Sequence, residues 1–475
     1  MKRLISILKV TAKVVAGLLV AILLYLTSAY FIGKQDYGSP GMLSAQLNQV
    51  AFVNVNVIPM DSNYVLPNRT VLIESGKIKG IYDEHADLKD FHIIDGKGQY
   101  LMPGLMDAHA HIFDRSDLAL YLSKGVTTIR NMMGFPMHLR WKEQVEENEY
   151  PGATLFTASP TLNMGSDTGG PFHKVLEDTQ EAREAVSDSK AQGYDFIKIY
   201  DGLSKEVFQA IMDEARKNNL RVAGHPPRSV DLNTLASSGL ISIEHAEEVF
   251  QGMMNYKYSP ERADSIALIL ARNHVYVTPS LIIYHYIKEV SVKGQSFLDS
   301  IPQEYINPVI RFIGNKQLGD FVNASEKAKD YNTRKDAALS EILKIFHEKG
   351  VPLLLGTDHG PNLTVAGYIL HREIEMWKQN GIPDYDILKA GTIHVADALG
   401  VSDKLGTISP GKEAQLILAK KNPLKDARYI QELSGVFHNG YWYDENGLQD
   451  LEEAGKDKSS TFSIIGRFLE HLLKK

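Results

Sequence analysis

Cysteine is missing from all 475 residues, and that absence removes several chemistries at once. Without thiols there are no disulfides, thiolate metal ligands, cysteine nucleophile or lipidated N-terminal cysteine. Any metal must be held by nitrogen and oxygen. A dense basic patch is also lacking in the globular part: 51 basic against 58 acidic residues give a net charge of −7, which argues against nucleic acid as a partner. A small-molecule or dipeptide substrate fits that balance, and self-association into a homo-oligomer is left open by it. At 44% hydrophobic, the chain has the apolar mass for one large domain with a full core plus a smaller one.

Val14 to Gly33 is an uncharged, largely apolar run of 20 residues preceded by Lys2, Arg3, Lys9 and Lys13. As a helix it is long enough to cross roughly 30 Å of hydrocarbon. The basic flank puts the N-terminus in the cytoplasm and the body outside. Residues 1–34 are therefore expected to be a transmembrane helix that anchors an extracytoplasmic catalytic domain. A cleaved signal ending near Leu26-Thr27-Ser28-Ala29 is the alternative, and it too exports the body. Residues 35–49 read as a linker.

Short alternating segments then follow, such as Phe52 to Ile58 and Thr70 to Glu74, and similar ones return at Ala414 to Leu418 and Tyr441 to Tyr443. They predict a small composite β-sandwich domain from residues 50–103 and 405–445. Between them the pattern alternates strand and helix. Eight apolar or β-branched runs, opening at Leu105 and closing at Pro352 to Asp358, argue for an α/β fold, a (β/α)8 TIM-type barrel over 104–404. One connection, 282–350, is oversized and predicts an inserted helical cap. In the tail, 446–475, Ile465, Phe468, Leu469, Leu472 and Leu473 form an amphipathic helical stripe, suited equally to a membrane surface or to packing.

The opening barrel strand carries Asp107, His109 and His111 at alternate positions, so the three polar side chains leave one face. Two imidazoles so spaced on a strand can reach one metal ion. On the run Asp195 to Tyr200, alternation turns Lys198 inward if Ile197 and Ile199 meet the helices. A buried ammonium there is costly unless paired or chemically altered.

The stretch from Met102 to His111 resembles the His-X-His opening of the amidohydrolase superfamily. The match continues in order through Lys198, His225, His245 and Asp358, and covers about Val50 to Leu424. It includes Leu405-Gly406-Thr407-Ile408-Ser409-Pro410-Gly411, typical of the branch containing imidazolonepropionase and Xaa-Pro dipeptidases. The resemblance implies two divalent metals, usually zinc: His109, His111 and Asp358 at the first, His225 and His245 at the second. Lys198, carbamylated to N6-carboxylysine, would bridge them. It further implies a metal-activated hydroxide that attacks an amide carbonyl, with Asp358 moving the proton to the leaving amine. Asp107 is expected as a support rather than a ligand.

His173, Tyr200 and Arg130 are the expected substrate contacts, Arg130 for a substrate carboxylate, with inward ion pairing explaining Arg130 equally well. Two departures from the family, Pro226-Pro227 after the fifth-strand histidine and Asn131 after Arg130, leave the metal set untouched but bear on substrate identity. The expected activity is cleavage of a C–N bond in a small substrate, first a dipeptide. A cyclic amide or lactone, or a non-catalytic membrane-anchored binding protein on the same scaffold, are the alternatives.

Overall fold

The computed structural model of the chain describes residues 2–36, 41, 44–83, 88–165, 172–360 and 362–474. Part of the expected linker (37–40 and 42–43) and the last lysine of the tail lie outside them.

Strands from both ends of the chain join in one eight-stranded sheet. Tyr441–Asp444, Leu433–His438 and Leu416–Ala419 lead into Tyr100–Pro103, then Gln49–Val57, Leu66–Glu74 and Lys77–Tyr82. His92–Asp95 also pairs with Gln49–Val57, so the sheet forks. The fork has a local cause. The register slips between Phe52 and Val55, where Asn54 adopts a left-handed φ of 54°, and the bulge turns the two halves of the strand toward different neighbours. Hydrogen bonding thus joins the strands of both chain ends in one forked sheet.

Between these ends lies a series of parallel pairings. Leu105–Ala110 pairs with Val126–Asn131, and that strand with Thr154–Thr157. A parallel bridge from Ala158 to Phe196 passes to Phe196–Ile199, which pairs onward through Arg221–Gly224 and Ser242–Glu244 to Tyr276–Thr278. Val277 bridges to Leu353, and His359 bridges back to Ala110. The expected eighth strand is irregular: its residues make single bridges, yet Ala108 N donates to Leu355 O at 2.9 Å and Asp358 N to His109 O at 2.7 Å. Two three-residue strands, Thr161–Asn163 and His173–Val175, extend the sheet. They are too short for alternation to reveal.

Helices flank the series for legible reasons. Lys205–Lys217 begins at Ser204, whose hydroxyl accepts from Val207 N, ends with Arg216 and Lys217, and buries Val207, Phe208, Ile211 and Ala215. Ile211→Ala would remove about 2–5 kcal/mol of that packing. The 282–350 excursion is helical: Leu281–Lys293, Gln295–Leu298, Pro308–Val322 and Glu326–Glu348.

The N-terminal helix runs Lys2–Gly33, and Ser6–Gly33 is long and apolar enough to cross a membrane. Its end packs on the tail helix Thr461–Lys474, but the tail's apolar stripe is not what is buried. Ile464, Gly466, Arg467, Glu470 and His471 are. Ion pairing explains the rotation: Arg467 reaches Asp36 at 2.8 Å and Glu470 reaches Arg140 at 2.8 Å.

Glu373 ties the excursion to the body, its carboxylate accepting from Leu281 N, Ile282 N and Trp377 Nε1 at 2.8–3.0 Å. Burial pushes its carboxyl up from 4.5 to about 7, against the pull of those donors. A carboxyl so raised contributes stability that is complete below its unfolded pKa and lost as pH rises through the folded one. The wild-type melting temperature is therefore expected to fall relative to Glu373→Gln between about pH 5 and pH 8. Parallel melting curves would show that Glu373 does not titrate in that window.

Candidate metal centre

The residues singled out on the strands converge. His109 lies in Leu105–Ala110, Lys198 in Phe196–Ile199, and His225 and His245 directly follow Arg221–Gly224 and Ser242–Glu244. Asp358 Oδ1 is 3.0 Å from His111 Nε2 and 3.3 Å from His109 Nε2. Nitrogen and oxygen atoms of these three residues all lie within 4.8 Å of one another. The His245 ring stands 4.5 Å from that of His109 and 4.9 Å from that of His225.

Lys198 is 2% exposed and its Nζ has no hydrogen-bond partner. Burial lowers its pKa to about 8, with Glu244 and Asp358 pulling it back up. Burial and the Lys198 charge hold the His109 and His225 imidazoles well below their ordinary value, and burial lowers His111 too. Neutral imidazoles are the form that binds a cation. Burial raises the Asp358 carboxyl, but His245, His111 and His109 outweigh it and hold the group below the carboxylate range.

The backbone bends to deliver these side chains. His245 and Asp358 both have positive φ, 71° and 56°, uncommon for residues with a Cβ and of a kind that clusters at functional sites. Gly224, at φ 151°, lets His225 follow its strand closely; a Cβ there would stand 2.1 Å from Ile199 O.

Carboxylates behind the ligand set were not singled out in the sequence. Glu244 Oε2 is 2.9 Å from His109 Nδ1, and Glu248 Oε1 is 3.2 Å from His225 Nδ1. Each turns the far ring nitrogen toward the centre, as carboxylate–histidine pairs do around metals. Position next to His245, and three residues beyond it, is the only sequence signal these two carry.

Of the two readings of Arg130, the structure shows inward pairing: it is 1% exposed, its guanidinium bound to Glu244 Oε1 at 2.8 Å and Ser242 Oγ at 2.9 Å. A strand-end arginine turned inward must meet a buried carboxylate, and Glu244 is that partner. Tyr200 stacks on His225 at 4.1 Å, and the His173 ring lies one layer further out, 4.7 Å from Tyr200. Asp107 points away and accepts from Tyr121 Oη at 2.9 Å and Thr357 Oγ1 at 2.7 Å, tying the first strand to the last. From the helical excursion, Tyr284 comes within 6.3 Å of the His245 ring, and Lys335 pairs with Glu247.

The donors suit a cation. Nitrogen atoms of Lys198, His109, His111 and His245 are buried without hydrogen-bond partners, an expensive arrangement unless something binds them. Imidazole and carboxylate without thiolate match borderline and hard divalent ions. An α/β scaffold with such a cluster at its strand ends defines the class of metal-dependent hydrolases.

Residues 100–443 match the Amidohydrolase family, and the chain belongs to it. It is thus an enzyme of a metal-binding family that acts on carbon–nitrogen bonds. It is similar to an imidazolonepropionase of Thermoplasma volcanium (22% identity, covering 79% of this chain and 90% of the relative) and to a 5'-deoxyadenosine deaminase of Methanosarcina acetivorans (23%, 77% and 83%). Among solved structures it resembles a bottromycin amidohydrolase (TM-score 0.73, 22% identity, covering 90% and 97%) and a Xaa-Pro dipeptidase with bound methionine in the active site (TM-score 0.66, 21%, 83% and 100%). At such identities the structures share the fold.

Glu248 and Glu244 separate orientation from charge balance. Glu248→Ala is expected to weaken cation binding about 10–100-fold with the fold intact, read by titration against a chromophoric chelator. Glu244→Ala leaves Arg130 buried without its carboxylate and is expected to destabilise the protein by about 3–5 kcal/mol, read by denaturant unfolding. Equal effects of the two on stability would contradict the distinction.

Proposed function

We propose that the protein is a membrane-anchored hydrolase that cleaves an amide bond in a small substrate, a dipeptide first, at a site for two divalent cations. The observation that carries this reading is the approach of His109 and His111 to one oxygen of Asp358, with the buried, unpartnered Lys198 amine in the same electrostatic field. We read the parallel series as a closed (β/α)8 barrel, the 282–350 helices as its cap and the forked sheet as a second domain.

In this reading His109, His111 and Asp358 would hold one cation and His225 and His245 the other, and Lys198, as N6-carboxylysine, would supply a carboxylate to both. Carbamylation replaces a costly buried ammonium with an anion that two cations neutralise. Zinc suits the nitrogen and oxygen set. When bound, such ions act as Lewis acids, lowering the pKa of water and polarising a carbonyl. The Asp358 carboxylate, held ionised by the imidazoles around it, takes the proton of the attacking water and delivers it to the leaving nitrogen. Glu244 and Glu248 keep His109 and His225 in register, and Tyr200 with His173 contacts substrate on the His225 side.

A second reading, hydrolysis of a cyclic amide or lactone, is favoured by the relative named imidazolonepropionase. A non-catalytic binding role has no use for an unpaired lysine among histidines. For the N-terminal helix, an uncleaved anchor is favoured by its packing: cleavage after Ala29 would remove the backbone on which Gly466 sits, where a Cβ would meet Ala29 O at 1.8 Å. The basic flank then puts the catalytic domain outside the cytoplasm.

Full-length protein purified in detergent is expected to bind two zinc ions per chain, to lose dipeptide hydrolysis on chelation and to regain it with zinc. Lys198→Ala is expected to bind fewer ions and to lose about 4 kcal/mol of transition-state stabilisation, roughly a thousandfold in kcat. A variant retaining both ions and full activity would contradict the bridging role. Zinc-loaded protein inert toward a dipeptide panel but active on cyclic amides or lactones would favour the second reading.

A further inference from the structure

The tail helix Thr461–Lys474 turns its polar side inward and leaves its apolar side partly uncovered. Ile465, Phe468, Leu469 and Leu472 follow the i, i+3, i+4, i+7 spacing of a single stripe, with Leu473 alongside. Leu472 is 46% and Leu473 75% exposed. The stripe lies beside a second uncovered apolar surface. The two helices cross where Gly466 meets Ala29 and Gly33, with Phe462 against Tyr25 at 4.9 Å, and from Leu24 back to Ile7 the N-terminal helix exposes its large apolar side chains. Contiguous apolar surface of this extent marks an interaction site, and the 28-residue span within it is long and apolar enough to cross a membrane, which favours a lipid bilayer as the occupant.

The same stripe leads to the metal centre. Phe468 packs on Phe172 at 5.6 Å and on Phe135 at 6.0 Å. Phe172 directly precedes His173, whose ring lies 4.7 Å from Tyr200, and Tyr200 stacks on His225 at 4.1 Å. One peptide unit therefore separates a side chain touching the tail helix from one touching the residues around the centre.

We propose that the tail helix lies in the membrane interface beside the anchor and that the enzyme draws its substrate from the bilayer: an amide carrying a long hydrocarbon chain. This rests on the hydrolase reading and narrows its substrate class. Water adds across the C–N bond, the hydroxyl going to the acyl carbon and the proton to the amine, so a fatty acid and a free amine leave. Each methylene added to such a substrate raises its membrane-bound share about fourfold.

The absence of cysteine allows a test that does not depend on activity. Leu473→Cys, labelled with an environment-sensitive fluorophore in full-length protein reconstituted into nanodiscs, is expected to be quenched by brominated lipid. Emission like that in water, without quenching, would overturn the placement. On the zinc-loaded nanodisc protein, kcat/KM for N-acyl amino acids is expected to rise at least tenfold from a two-carbon to a twelve-carbon acyl group. The double variant Leu472→Glu with Leu473→Glu is expected to cut the long-chain value at least fivefold and to leave the short-chain value unchanged. A flat chain-length series, or one the double variant does not alter, would overturn the inference while sparing the hydrolase reading. No turnover at any chain length, with dipeptides also inert, would remove that reading and the inference with it.

Discussion

The centre of the molecule depends on satisfying one carboxylate, that of Glu244, without water. It is fully buried; burial raises its pKa, and Arg130 and Lys198 outweigh that and hold it ionised. Arg130 supplies the opposite charge, Ser242 donates a hydrogen bond, and the remaining oxygen fixes the His109 ring. A buried pair of this kind gains little stability over apolar packing, but removing one partner is severe. Its use here is orientation. With Nδ1 held by Glu244, His109 presents Nε2 to Asp358, and His225 repeats the arrangement through Glu248. Strained φ values at His245 and Asp358 are sustained by backbone bonds such as His245 N to Thr278 O at 2.7 Å, so the surrounding strands over-determine the site.

Much of this was legible in the sequence because local rules apply to it. Alternation on Leu105–Ala110 separates Asp107 and His109 from their apolar neighbours, and β-branched runs mark Val126–Asn131 and Phe196–Ile199. Lys198 between two isoleucines was expected inward provided that Ile197 and Ile199 meet the helices, and all three are buried. Arg130 kept two readings in the sequence because its partner lies 114 residues away; a strand-end arginine looks the same whether it meets a substrate or a buried glutamate. Glu244 and Glu248 escaped for the same reason. Their meaning comes from His109 and His225, on other strands.

The remaining differences have geometric causes that residue periodicity does not encode. The closing segment near Asp358 breaks the extended conformation with a left-handed residue. The tail's amphipathic pattern told which residues are apolar and not which side would meet the protein. Two ion pairs, Arg467 with Asp36 and Glu470 with Arg140, hold the polar side inward, so that Phe468 at the edge of the stripe still packs on Phe135 and Phe172 while Leu472 and Leu473 are exposed.

Anomalous diffraction at the zinc edge from crystals of the zinc-loaded, full-length protein tests the central claim most directly. The account expects two peaks per chain, one among His109, His111 and Asp358 and one between His225 and His245, with continuous density joining both to a carboxylated Lys198. A single peak, or two peaks with an unmodified Lys198 amine, would contradict it.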